Sequence, residues 1–207
     1  MPVSPILVLG TTNSGKRQEL TALLEPFGIA CQSLADFPAA LAVAETGTTF
    51  AENAALKASQ QALALGHWVL GEDSGLAVDA LGGGPGVYSA RFSGPEATDE
   101  ANNTLLLEKL AGVPADQRTA HYACHAALAD PEGTIRATAS GRCCGRIADT
   151  AAGCGGFGYD PYFIVPEYHR TFGELAPAVK SLISHRGRAI RAMLPQIVRL
   201  LRDQPAS

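Results

Sequence analysis

Glu72 and Asp73 follow directly on the apolar run Trp68 to Leu70, and that juxtaposition limits what the chain can fold into. The run reads as a short buried strand, which puts both acids at its exit, where open sheets bind ligands. Adjacent carboxylates repel each other when buried, so they need a divalent cation, a basic partner or water. An oxygen-rich site of this kind suits magnesium. A solvated Glu-Asp pair before a turn is the plainer reading, since paired acids are common on surfaces. Beyond Asp73, five glycines and a proline before Ser89 argue against a regular element past Leu81.

With 207 residues, 46% of them hydrophobic, the chain can bury its own core and is expected to form one soluble domain, residues 1–207, of one lobe or two. Its net charge of -4 and the lack of a Lys/Arg run argue against a nucleic-acid polymer as partner, so any phosphate ligand is bound locally. The opening MPVSPILVLG is too short an apolar run, and too poor in basic residues, for a secretion leader. No segment approaches membrane-spanning length. The five cysteines, Cys31, Cys124, Cys143, Cys144 and Cys154, form an odd set without C-x-x-C spacing. They read as reduced thiols of a cytoplasmic protein.

Ile6 to Leu9 reads as a first strand. It enters the turn Gly10-Thr11-Thr12-Asn13-Ser14-Gly15-Lys16, followed by a helical pattern with Leu20, Leu23, Leu24 and Phe27 on one face, ended by Gly28. Such a strand-turn-helix offers backbone N–H groups and the positive dipole end to an anion, and Lys16 adds a charge. The spacing matches a P-loop, but Arg17 stands where that motif has its magnesium-binding hydroxyl. Alternatively, Asn13 or Ser14 simply caps the helix. After a short strand within Ile29 to Leu34, Thr49 and Glu52 form a capping box for a helix that reaches Leu65 and closes at Gly66. Asn53 and Lys57 share one face of it, aimed at a cleft or forming a solvated stripe.

Thr98 caps a helix over Asp99 to Leu110 with Leu105, Leu106 and Leu110 inward, and Thr119 to Leu128 with Thr134 to Arg142 form a hairpin around Asp130-Pro-Glu-Gly133. His121 and His125 fall on one strand without a third ligand, which argues against zinc. Phe157-Gly158-Tyr159-Asp160 follows a glycine-rich loop and precedes a strand at Tyr162 to Val165. An aromatic there suits stacking on a base and an Asp suits its polar edge; a core aromatic beside a tight turn has equal standing. Lys180, His185 and Arg186 gather at a last helical pattern through Ile190, Leu194, Ile197 and Leu201, with Ser184 as cap. Pro195 should kink or divide that helix. The element order predicts an α/β domain with a mixed sheet.

Thr11 to Lys16, Glu45-Thr-Gly-Thr-Thr-Phe-Ala-Glu-Asn53 with Lys57, Glu72-Asp-Ser-Gly75, Gly83 to Arg91, Phe157 to Asp160 and Ser184-His-Arg186 together resemble the inosine triphosphate pyrophosphatase family, the dITP/XTP pyrophosphatases. The resemblance spans nearly the whole chain. It implies an α/β fold with an elongated mixed β-sheet, flanking helices and two lobes around a central substrate cleft, in a cytoplasmic homodimer. It also implies magnesium-dependent hydrolysis of dITP, ITP and XTP to the monophosphate and pyrophosphate, which cleanses the nucleotide pool. Carried over by position, Thr11, Thr12, Asn13, Ser14, Gly15 and Lys16 would hold the triphosphate; on chemical grounds Lys16, Lys57 and Lys180 are expected to neutralise the leaving group. Asp73 would be proton acceptor and metal ligand, with Glu72 and Glu45 as further ligands, and Ser74 would contact the nucleotide. Phe157, Gly158, Tyr159, Asp160, Lys180, His185 and Arg186 would surround the substrate, the last two near the base.

Two positions depart from the family pattern. Thr12 replaces the glycine of Thr-Gly-Asn, and Ala44 replaces the first of two acids that many relatives carry before Thr-Gly. The metal shell is then completed by Glu45, or by Glu72 and Asp73 with phosphate oxygens and water. A P-loop kinase or GTPase, supported by Gly10 to Lys16 alone, and a nucleotide sensor without turnover are the competing functions.

Overall fold

The protein is described by a computed structural model over residues 6–202. The first five residues, on which the argument against a leader partly rests, lie outside the described part. Seven strands and five α-helices follow one another along the described residues: β1 (Leu7–Leu9), α1 (Ser14–Leu24), β2 (Cys31–Ser33), α2 (Phe50–Leu65), β3 (Trp68–Val78), α3 (Asp99–Lys109), β4 (Thr119–Ala129), β5 (Ile135–Ile147), β6 (Phe163–Val165), β7 (Arg170–Thr171), α4 (Pro177–Ile183) and α5 (His185–Arg202). The strands form one sheet in the order β2-β1-β3-β4-β5-β6-β7. It is mixed: β1 runs parallel to β2 and β3, while β6 is antiparallel to β5 and β7. The expected α/β class with a mixed sheet and flanking helices is therefore what the chain adopts.

The chain divides into two compact units. The first comprises residues up to Asp73, Cys124–Gly141 and the residues from Arg186 onward; the second comprises Ser74–Ala123 and Arg142–His185. In the first, the period of two along β1 and β3 sends side chains to opposite faces. Leu7, Leu9 and Leu70 pack with Leu20 and Leu24 of α1 and with Ile190, Met193, Ile197 and Leu201 of α5. Val8 and Val69 pack with Ala54, Ala58 and Ala62 of α2. Small residues on α2 let it lie close, and Gly71 completes the fit: a Cβ there would stand 2.4 Å from Ala54 O and 2.6 Å from Ala58 N. The second unit has its own core, in which Leu76, Val78, Leu106, Leu110, Tyr122, Ile147, Phe163 and Phe172 meet.

Several expectations are corrected. β3 does not stop at Leu70 but continues to Val78, so Glu72 and Asp73 lie inside a strand rather than at its exit. Phe27 leaves the apolar face of α1, because Pro26 opens a 3-10 turn over Glu25–Phe27, and its ring is exposed. Of the two outcomes expected at Pro195, a kink or a division, division does not occur, since α5 continues to Arg202. The second hairpin strand reaches Ile147 rather than Arg142, and the two-residue β7 had no readable signal.

Candidate functional site

Tight approaches of backbone to backbone bring the charged residues of the first unit together. The Gly10 N–H donates to Leu70 O at 2.9 Å, continuing the β1–β3 pairing past β1, so the turn that follows starts alongside the polar part of β3. Asn13 then caps α1, its Oδ1 accepting from the Lys16 N–H at 2.9 Å, and Lys16 Nζ reaches Glu72 Oε2 at 3.1 Å. The close seat of α2 over Gly71 aims its Asn53/Lys57 face at Asp73. Lys57 Nζ lies 2.9 Å from Asp73 Oδ1 and 3.3 Å from Glu45 Oε1, and Asn53 Nδ2 donates to Asp73 Oδ2 at 3.3 Å. Asn53, fully buried, also accepts from the Gly47 N–H at 2.8 Å, which ties the Glu45 loop to α2.

Arg186, at the start of α5, completes the cluster. Its Nη2 lies 2.9 Å from Glu72 Oε1 and its Nε 3.2 Å, while Nη1 pairs with Glu19. The guanidinium is buried, and although burial disfavours its charge, Glu72 and Glu19 hold it firmly protonated. Cys124 Sγ, 3.3 Å from the same Glu72 oxygen, is a desolvated thiol raised well above its ordinary pKa. It is therefore a hydrogen-bond donor here and not a thiolate.

Asp73 is the acid to single out. Its pKa is raised, because burial outweighs the opposing Lys57 and Lys16 ammoniums, with Glu45 adding to the rise. Burial also works against the charge of Lys57, but Asp73, Glu45 and Glu72 together outweigh it and raise that pKa. A buried carboxylate with a raised pKa, held by an amide on one oxygen and an ammonium on the other, suits a general base.

The two departures find physical answers. Among the described residues only His169 combines a side chain with positive φ, so Thr12 occupies the glycine position without a left-handed backbone. Ala44 is exposed, whereas the half-buried Glu45 reaches Lys57 and shares that ammonium with Asp73. Thr12 and Ser14 are exposed at the mouth of the turn, and Thr11 and Gly15 are partly buried. Arg17, which breaks the P-loop pattern, donates from Nη1 to Ser33 Oγ at 3.1 Å.

Within the second unit, Ser74 is half-buried in β3, and Phe157 to Asp160 form a loop of their own. Asp160 Oδ2 accepts from the Phe157 N–H at 2.9 Å and from Lys180 Nζ at 2.5 Å, and that ammonium stands 4.9 Å from the centre of the Phe157 ring. Tyr159 is core, its hydroxyl donating to Ser89 O at 2.8 Å. His185 stacks on Tyr122 at 4.6 Å between ring centres. Glu19 and Cys124 escaped the sequence reading. Glu19 sits three residues after Lys16, the spacing that puts two side chains on one helix face; for Cys124 no local signal exists.

Among the described residues no group of three or more His, Cys, Asp or Glu side chains is placed to hold a metal ion; Glu45 and Asp73 form a carboxylate pair about the Lys57 ammonium. No helix is long and apolar enough to cross a membrane.

Comparison with known proteins extends these observations over the whole chain. It is 52% identical over 201 residues, 97% of either chain, to a dITP/XTP pyrophosphatase of Rhodopirellula baltica. It is 52% identical over 195 residues to a dITP/XTP pyrophosphatase of an Exiguobacterium species, covering 93% of this chain and 96% of the relative. The fold is similar to the solved structure of a HAM1 protein from Coxiella burnetii, with a TM-score of 0.82 and 38% identity across 97% of this chain and 100% of that one. The Ham1 family model matches residues 7–196, and with near-complete coverage of relatives about half identical in sequence, the chain belongs to the Ham1 family.

Proposed function

We propose that this protein hydrolyses non-standard purine nucleoside triphosphates (dITP, ITP and XTP) to the nucleoside monophosphate and pyrophosphate, and so clears them from the nucleotide pool. The observation that carries the reading is the Asp73 carboxylate, buried, raised in pKa and clamped between Asn53 and Lys57 in a chain about half identical to proteins named dITP/XTP pyrophosphatase. Asp73 takes the proton of the attacking water. Lys16 and Lys57 lie within reach of its acidic surroundings as donors to the charge that builds on the pyrophosphate. Phosphoryl chemistry asks for this from a protein, positioning and charge stabilisation rather than covalent help. Phe157, with the Lys180 ammonium near its ring, is assigned to the nucleotide.

Magnesium fits the residues present. Glu45 and Asp73 each turn an oxygen toward one point, now held by the Lys57 ammonium, and hard carboxylate oxygens are what magnesium takes. Both would hold it, with water and phosphate oxygens completing the shell; Glu72, already engaged with Lys16 and Arg186, holds the basic side chains instead. When bound, the ion supplies Lewis-acid stabilisation of phosphate charge. The protein is further proposed to act in the cytoplasm as a homodimer, for which sedimentation at micromolar concentration is the check.

The test is a product assay across ITP, dITP, XTP, GTP and ATP with magnesium. Release of pyrophosphate, with kcat/KM for ITP and XTP far above that for ATP and GTP, supports the reading. Orthophosphate, or an unchanged substrate, refutes it, the first in favour of a P-loop-type enzyme and the second in favour of a sensor.

A further inference from the structure

One loop of the second unit is gripped from outside by two residues that neither the motifs nor the proposed chemistry uses. Gly158, with φ of 61°, has both backbone polar groups taken by α3: its N–H donates to Asp99 Oδ2 at 2.7 Å, and its carbonyl accepts from Asn103 Nδ2 at 2.9 Å. Asp99 and Asn103 are four apart and so lie one above the other on a single helix face. Asp99 is the first residue of α3, immediately after the cap Thr98, where the helix dipole favours a carboxylate.

Asn103 is buried, and turning its amide nitrogen toward Gly158 leaves Oδ1 buried with no hydrogen-bond partner. Buried acceptors are rarely left that way. Next to Gly158 the loop is pinned again, by the Tyr159 hydroxyl on Ser89 O, and Ser89 is itself fixed by donating to Gly86 O at 2.6 Å. Phe157 is therefore preset, with its N–H on Asp160 and one side of its ring near the Lys180 ammonium.

We infer that Asp99 and Asn103 are positioning residues that hold Gly158 and thereby preset Phe157 for the nucleotide, so that binding need not order the loop. The inference rests on the proposed assignment of Phe157 to the nucleotide. A preset loop avoids the entropic cost of immobilising side chains on association. Its loss weakens substrate and transition state alike, which raises KM and leaves kcat in place.

The experiment measures kcat and KM for dITP with magnesium in Asp99→Ala, Asp99→Asn, Asn103→Ala, Phe157→Ala and the double variant Asn103→Ala/Phe157→Ala. Asp99→Ala and Asn103→Ala should each raise KM roughly tenfold with kcat within about twofold of the parent. Asp99→Asn, which keeps an acceptor for the Gly158 N–H, should restore most of the difference. In the Phe157→Ala background, Asn103→Ala should add nothing further. A KM unchanged in Asn103→Ala while Phe157→Ala raises it overturns the inference and leaves the assignment of Phe157 standing. A KM unchanged in Phe157→Ala refutes that assignment, and the inference with it. Equal losses from Asn103→Ala with and without Phe157, or a fall in kcat matching a fall in melting temperature, show a merely structural role and overturn it too.

Discussion

Asp73 is where a single atom's surroundings decide the chemistry. Replacing it with Asn keeps its shape and removes its capacity to take a proton, so kcat should fall by roughly a hundred- to ten-thousandfold with circular dichroism unchanged. Because the folded pKa stands above the unfolded one, the contribution of Asp73 to stability is complete below the unfolded pKa and is lost as pH rises through the folded value. Urea titrations of Asp73→Asn should accordingly lose that part of the decline. Lys57 opposes the rise, so Lys57→Met should lift the Asp73 pKa further and move the acid limb of kcat/KM to higher pH. An acid limb that stays in place would dismiss the proposed interplay. Lys16, Lys57, Glu72, Asp73 and Arg186 were all legible in the sequence because each sits at a turn, on a helix face or behind an apolar run. Glu19, Cys124, Asp99 and Asn103 were not, since their roles exist only through partners far away in the chain.

Among the elements, β3 shows both what patterning reveals and where it fails. Trp68 to Leu70 announces a strand, but Gly71-Glu-Asp looks like its end, because two acids and a glycine have poor strand propensity. The strand persists because Lys16, Lys57 and Arg186, drawn from three other elements, neutralise those acids, and because Gly71 admits α2. Gly71→Ala should expose that second condition. The new methyl meets backbone atoms, which cannot turn aside, so stability should fall by about 1–3 kcal/mol in urea unfolding, and activity should fall with it as Asn53 and Lys57 shift. Wild-type stability would show that α2 is free to move. The helices α1, α2 and α3 were readable from their caps, Asn13, Thr49 and Thr98, since capping is a local matter. Strand β7 and the continuity of α5 through Pro195 depend on neighbours and were not.

At the scale of the molecule, each unit keeps its own core, and the first holds the acid–base cluster. Leu20, wholly buried in that core, should cost about 2–5 kcal/mol when replaced with Ala, read from the emission of Trp68, the sole tryptophan, which belongs to the same cluster. A loss below 1 kcal/mol would place Leu20 outside any tight packing. The first unit is also pieced together from three separate stretches of chain, and its Glu72–Arg186 pair joins residues 114 positions apart. A ribosome must therefore add 114 residues after Glu72 before that carboxylate can find its guanidinium. A nascent chain stalled ahead of α5 carries a half-made charge network, with Glu72 lacking one of its basic partners.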